Sequence, residues 1–75
     1  MVDYIVCELT KEEALIGTYS GKHLAAFDQF ADAERYVEVQ LFNHPDLVYN
    51  ICKQVWYEDE LPHIHDFDVL YTYTS

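Results

Sequence analysis

The 75-residue chain contains few glycines, few cysteines and few basic residues. Its two glycines, Gly17 and Gly21, cannot supply the glycine-rich loop that cradles phosphate groups. Cys7 and Cys52 stand far apart and belong to no C-x-x-C pair, which argues against a metal knuckle. Because each cysteine lies in a largely apolar run, we predict two reduced thiols in the core rather than a disulfide.

Long apolar runs are also missing. No stretch approaches the roughly 18 consecutive apolar residues of a membrane-spanning helix, and no basic segment precedes an apolar one near the start. We therefore expect neither a signal peptide nor a membrane span, and we predict a cytoplasmic protein.

Apolar and aromatic side chains are abundant, at 51% and 16% of the residues. A chain this short buries only about 60% of the surface that it exposes when unfolded. Burying large rings offsets the loss of backbone entropy without cross-links. The composition predicts one folded domain over residues 1–75 and argues against intrinsic disorder.

The strongest bias is in the charge. Fourteen Asp and Glu residues against four Lys and Arg residues give a net charge of -10, beyond the magnitude of about 2 to 8 that keeps a small domain soluble. Such a surface repels nucleic acid and anionic membranes. The charge therefore predicts a basic protein surface as the partner, with no direct binding to nucleic acid or membrane.

Strands are predicted where β-branched and aromatic residues run without glycine or proline. The first strand covers Val2 to Leu9. Thr10–Glu13 has the form of a capping box, but we predict a turn there because β-branched residues and a glycine follow closely. The segments Ala14–Tyr19 and Lys22–Phe27 then flank Ser20-Gly21, a dipeptide typical of a tight hairpin.

An amphipathic helix is predicted from about residue 29 to 43, because apolar residues recur every three or four positions with polar residues between them. Asp28 is the predicted N-cap, and Asn43-His44-Pro45 supplies a stop. The recurring apolar residues are Phe30, Ala33, Val37 and Leu41.

Two more strands are predicted, Val48–Tyr57 and Phe67–Thr74, with a polar loop from Glu58 to Asp66 between them. On the first, the face that carries Tyr49 and Ile51 is the more apolar. Because each element has a single face to bury, the sequence predicts an α+β fold with one amphipathic helix packed on a mostly antiparallel sheet of about four to five strands. Alternation places four residues on one face of the last strand: Phe67, Val69, Tyr71 and Tyr73.

Acidic residues form rows on several predicted elements. Carboxylates four positions apart on a helix, or two apart on a strand, project from one side. Such rows resemble a line of backbone phosphates and could occupy a groove lined with Lys and Arg; a solvated, solubilising shell is the alternative. The acidic candidates for partner binding are Asp28, Asp32, Glu34 and Glu38 on the helix, and Glu58, Asp59, Glu60, Asp66 and Asp68 around the last loop.

Trp56 and Tyr57 directly precede the acidic loop and are the predicted apolar anchors, because Trp and Tyr dominate interface hot spots. A half-buried position in the sheet is the alternative for the tyrosines. The last strand is a further candidate, since an uncovered strand edge can pair with another chain.

His63-Ile64-His65-Asp66 is the one sequence cluster with the residue types of a metal site. In an extended chain both imidazoles project from one side, near acids that could complete a mixed site. Two histidines at this spacing are also common in exposed loops or in a pH-sensitive contact, and we predict no metal and no cofactor. We predict no enzyme and no catalytic residue either, because neither cysteine has a catalytic signature and so small a core can hardly frame a pocket of about 300 Å³.

The stretch from Gly17-Thr18-Tyr19 through Ala26-Phe27-Asp28 to Asp32–Val37 resembles a strand-then-helix pattern common in short proteins of phages and mobile elements. In size, acidity and this pattern the chain is similar to phage-type inhibitors, including anti-CRISPR proteins and other DNA-mimicking anti-defence proteins. The resemblance implies a sheet that leads into a capped helix, and it carries over no functional residues.

Three functions compete on this evidence. The leading hypothesis is an inhibitor that occupies a basic, nucleic-acid-binding surface of a partner protein. The second is a structural or housekeeping homodimer that pairs through an edge strand and whose acidity keeps it soluble. The third is a small metal-binding protein that uses His63 and His65.

Overall fold

The computed structural model describes residues 2–17, 21–57 and 63–75, and for 56–57 and 63–66 it describes the backbone alone. Within these residues four strands form one antiparallel sheet in the order β2-β1-β3-β4, and one long helix packs on it. The α+β prediction is thus confirmed. The elements are β1 (Val2–Leu9), α1 (Lys11–Leu15), β2 (Lys22–Phe27), α2 (Phe30–Asn43), β3 (Val48–Tyr57) and β4 (His63–Tyr73). Neither described helix is long and apolar enough to cross a membrane.

The turn predicted at Thr10–Glu13 is wrong, because this segment begins the short helix α1. The Glu13 backbone N–H donates to Thr10 Oγ1 at 3.1 Å, and the Thr10 N–H donates to Glu13 Oε1 at 2.9 Å. This reciprocal capping box satisfies two N–H groups that the first turn would otherwise leave free. The predicted strand from Ala14 is therefore also wrong over its described residues 14–17. Helix α1 ends at Leu15, and Gly17, which follows the C-cap residue Ile16, has a φ of 78° that suits a residue without a side chain.

Strand β2 has the predicted bounds and pairs with β1, whereas Ser20 of the predicted hairpin lies outside the described residues. Gly21 precedes β2 and lies against the backbone of β1. A Cβ at this position would meet the carbonyl oxygen of Glu8 at 2.1 Å. The glycine is required here by close approach, since its φ lies outside the left-handed region.

Helix α2 matches the predicted span within one residue, but Asp28 is not its N-cap. Gln29 is the N-cap, because the chain stays extended through this residue (φ -121°, ψ 131°) and the helix begins at Phe30. The Gln29 side chain makes no capping hydrogen bond. Asp28 is thus one residue too early to reach the free N–H groups of the first turn. At the other end, the His44 N–H donates to the Gln40 carbonyl at 2.7 Å, and Pro45 follows.

The main core lies between α2 and one face of the sheet. Aromatic side chains extend it, and Phe30 contacts both Tyr4 and Tyr71 at ring-centroid distances of 5.7 and 5.6 Å. Phe27 and Tyr36 form another close pair at 5.5 Å. The fully buried residues of this core are Val6, Ala33, Val37, Tyr49 and Ile51.

The prediction that each element buries a single face is wrong for the central strands. Ile5, Cys7 and Cys52 form a second buried cluster on the opposite face of the sheet. Both cysteines are free and buried, as predicted. Interaction with the neighbouring Cys7 thiol, together with burial, raises the pKa of the Cys52 thiol.

The second face is bridged by two side chains from opposite edges of the sheet. His23 on β2 and Phe67 on β4 stack with their ring centroids 6.2 Å apart and their planes at 13°. Because β1 and β3 lie between these strands, a flat sheet would separate β2 from β4 by about 14 Å, three spacings of roughly 4.8 Å. The sheet is therefore curled toward this face.

Strand β4 begins four residues earlier than predicted, so that residues 63–66 are strand and the predicted loop is wrong there. The predicted alternation also fails, because Ile51 pairs with Tyr71 whereas the next residue, Cys52, pairs with Val69. Leu70 is the extra residue of a β-bulge, which reverses the side-chain phase. Phe67 and Val69 consequently share the second face, while Tyr71 and Tyr73 lie on the helix face.

Candidate acidic binding surface

The predicted acidic residues of α2 do not form one row. Asp32 lies on the flank of the helix that faces β2, where it borders the side chains of Phe27 and Tyr36. Glu34 and Glu38, one turn apart, lie on the flank that faces β4. Asp28, Asp32 and Glu38 are exposed, and Glu34 is half-buried. The helix thus presents carboxylates on both sides of the face that it buries.

Glu34 is held by the sheet. Its Oε2 accepts a hydrogen bond from the Tyr73 hydroxyl at 3.2 Å. Burial, this hydrogen bond and the negative charges of Glu34 and Glu38 raise the pKa of Tyr73 to about 12. A carboxylate in such a bond orients the helix on the sheet, and it is less free to contact a partner than the carboxylate of Glu38.

A second buried tyrosine makes a similar contact. The Tyr49 hydroxyl donates to Glu8 Oε2 at 2.9 Å, and burial with this bond raises the pKa of Tyr49 above its usual range. Tyr49 lies at the centre of the core, and Glu8 is half-buried at its edge. Glu8 therefore serves the fold, because its carboxylate satisfies a buried hydroxyl.

An open groove of about 430 Å³ lies between α2 and the end of β2. Phe27, Tyr36 and Val39 form its apolar surface, and Asp32 and Arg35 stand on its rim with a nitrogen-to-oxygen distance of 3.7 Å. The sequence analysis expected so small a core to frame no pocket of about 300 Å³, whereas the volume of this groove is larger. The groove is open to solvent, unlike the enclosed clefts that bury most of a small ligand.

The outward side of α2 carries exposed apolar residues that the sequence analysis overlooked. Phe42 exposes 87% of its surface and Val39 exposes 55%. At 100° per residue both lie away from Ala33 and Val37, which mark the buried side. A helical-wheel reading of residues 30–43 could have found them, since they fall outside the apolar stripe.

The chain matches no protein-family model, and no curated protein or solved structure is significantly similar to it. Within the part of the chain that the structure describes, Arg35 and Asp32 make the one ion pair, and both side chains are largely exposed. Exposed pairs of this kind contribute roughly 0 to 1 kcal/mol and leave the excess of negative charge in place.

The other predicted partner-binding residues belong mainly to the segment around residues 56–66. Asp68 is exposed on β4, opposite Lys53 of β3. Asp66 has a described backbone that pairs with Val55, and its side chain lies outside the described part. The remaining candidates lie outside the described residues or have only their backbone described: Trp56, Tyr57, Glu58, Asp59 and Glu60.

The histidine cluster falls in the same segment. The backbones of His63 and Ile64 pair with Tyr57 and Trp56 at the start of β4, but the side chains of residues 63–66 are not described. Among the side chains that are described, no group of three or more His, Cys, Asp and Glu residues is placed to hold a metal ion. The prediction of no metal stays a prediction.

Proposed function

We propose that this protein is a binding module whose acidic surface occupies a basic, nucleic-acid-binding surface of another protein in a stoichiometric complex. The observation that carries the proposal is the uncompensated charge. The net charge is -10, and the one described ion pair is exposed on α2. A surface of one sign raises the association rate with a surface of the opposite sign and discriminates against partners of like charge.

Helix α2 is the part of the surface best suited to this role. It is packed on the sheet through its buried side, so Asp32 and Glu38 are held on a rigid element. Val39 and Phe42 are exposed between these two acidic flanks. Exposed apolar side chains beside carboxylates suit contact with Lys and Arg, whose long stems cover apolar surface while their charged heads meet the acids.

The proposal is the same as the function that the resemblance in size and acidity to phage-type inhibitors implies. An inhibitor of that kind needs no reaction, because a carboxylate row that fills a phosphate-binding groove blocks nucleic acid by occupancy. Counterion release makes the competing nucleic acid bind more weakly at high salt, and screening weakens the acidic protein in the same direction. The proposed complex is therefore strongest at low ionic strength.

The first experiment is a pull-down from bacterial lysate with the immobilised protein at low salt, followed by elution along a salt gradient and mass spectrometry. The proposal expects one nucleic-acid-binding protein that elutes early in the gradient and that added DNA or RNA displaces. A retained protein that DNA and RNA leave in place, or the absence of any specific protein, contradicts it.

A pair of double variants then tests whether α2 is the contact surface. Asp32→Asn with Glu38→Gln removes two charges from α2, and Asp3→Asn with Glu12→Gln removes two charges elsewhere, so both have a net charge of -8 against -10. We expect the affinity for the isolated partner to fall more than tenfold in the first variant and less than threefold in the second. Equal losses would show that net charge alone, without a defined surface, attracts the partner.

A further inference from the structure

Strand β4 is an unpartnered edge of the sheet in the described residues. It pairs with β3 on one side, and the strand order ends with it. Proteins usually protect such an edge with Lys, Pro, bulges or very short strands. β4 is eleven residues long and contains neither Lys nor Pro. Its pairing to β3 shifts register at His65 and again at Leu70, and beyond the second shift Tyr71, Thr72 and Tyr73 pair in sequence to β3.

The charge along β4 is asymmetric. Asp66 and Asp68 lie in its first half, whereas residues 69–75 carry no ionisable acid or base other than tyrosine. In an antiparallel pair of two β4 strands centred on Thr72, Leu70 of one copy stands opposite Thr74 of the other. The Asp66 and Asp68 carboxylates of both copies then lie beyond the paired segment, so the like charges of the two β4 strands are not brought face to face.

The same register matches side chains across the axis. In this register Tyr71 of one copy would stand opposite Tyr73 of the other, and Thr72 would stand opposite Thr72. Both tyrosines lie on the same face of β4, so their rings would meet on one face of the joined sheet. Aromatic pairs and Thr pairs are favourable directly opposite each other in antiparallel strands. Tyr71 is available for this contact, because 58% of its surface is exposed although its ring already touches Phe30 and Tyr73.

We infer that two copies of this chain associate through their β4 edges, in an antiparallel pair centred on Thr72 that joins the two four-stranded sheets into one. The dimer is two-fold symmetric and does not depend on the proposed function. The paired segment is short, so the interface falls in the small, weak class and the dimer forms at high protein concentration.

Salt separates this contact from the proposed heteromeric one. Each copy carries a net charge of -10, so screening strengthens the association of two copies, whereas it weakens the binding of a basic partner. Sedimentation equilibrium from 5 to 500 µM, in low salt and in 0.5 M NaCl, measures the effect. The inference expects a mass that rises from 8.9 kDa toward twice that value, more readily in 0.5 M NaCl. A monomer at 500 µM in 0.5 M NaCl would overturn it.

Two variants and one direct measurement locate the interface. Thr72→Lys brings two ammonium groups together at the axis and should weaken the dimer at least tenfold, while Leu15→Lys adds the same charge at an exposed position of α1 and should leave it unchanged. Because the Thr72 hydroxyl also donates to Asn50 Oδ1 at 2.9 Å, circular dichroism must show that the first variant is folded.

Isotope-filtered NMR on a mixture of labelled and unlabelled wild-type chains should detect contacts between the Tyr71 and Tyr73 rings of different copies. A dimer without these contacts would refute the β4 pairing.

Discussion

Replacing Gly21 with alanine tests a close approach between the start of β2 and the backbone of β1. The added Cβ would lie 2.1 Å from the Glu8 carbonyl oxygen and 2.7 Å from Leu9 Cγ. Carbon and oxygen atoms in contact stand about 3.3 Å apart, so the start of β2 must move about 1.2 Å away from β1. The oxygen belongs to the backbone of a paired strand, and it cannot yield as the end of a flexible side chain can.

The expected cost is that of forcing extra atoms into a packed site, about 1 to 3 kcal/mol. For a domain of this size each kcal/mol lowers the melting temperature by roughly 4 to 8 °C. Gly21→Ala should therefore melt at least about 4 °C below the wild type, and the midpoint of urea unfolding should fall with an unchanged slope.

Gly17→Ala is the matched control, because it adds the same methyl group to the other glycine. Nothing lies within 4 Å of a Cβ at that position, so its cost comes from the φ of 78° alone, about 1 to 2 kcal/mol. We expect Gly21→Ala to be the more destabilised of the two. A melting temperature for Gly21→Ala at or above that of the control would mean that Gly21 does not lie against Glu8.

Three further measurements follow from the core and its hydrogen bonds. Val37→Ala should cost about 2 to 3 kcal/mol in urea unfolding because the side chain is fully buried, whereas Val39→Ala should stay within about 0.5 kcal/mol; equal effects would contradict the orientation of α2. Because the folded protein keeps the Tyr73 proton up to a pKa of about 12 and the unfolded chain loses it near 10, the stability that this group contributes is complete below pH 10 and is lost as the pH rises toward 12. Tyr73→Phe should flatten that decline in the urea midpoint, and an equally steep decline in the variant would argue against the contact with Glu34. Cys7 and Cys52 should react with a thiol reagent only as fast as the protein unfolds, and immediate labelling of the native protein would show that they are not buried.

Local periodicity was sufficient to predict helix α2 and strand β3, because each long element repeats its pattern many times. It failed at α1, where Thr10 and Glu13 form a capping box and Lys11–Leu15 are all good helix formers, whereas Ile16 and Gly17, which argued against a helix, lie beyond its end. It failed again at β4, since the bulge at Leu70 reverses a period-two pattern that the residues themselves continue. A bulge is fixed by the pairing partner, which a single strand does not reveal.

The candidate surface was predictable only in part. Net charge and the exposed acids Asp32 and Glu38 follow from the composition and the helical wheel. The different role of Glu34 depends on a hydroxyl 39 positions away, so no local pattern contains it. Phe42, by contrast, is predictable from the same wheel, on which it lies opposite the apolar stripe.

The stacked rings of His23 and Phe67 connect the two edge strands on the sheet face that carries Ile5, Cys7 and Cys52. A flat sheet of this width would need a second helix, with its connections, to cover Ile5, Cys7 and Cys52. Here the sheet curls so that β2 and β4, its two edge strands, approach each other on this face, and His23 and Phe67 come into contact. The curled strands therefore help to cover the second face of their own sheet, and the outward side of α2 stays exposed to solvent.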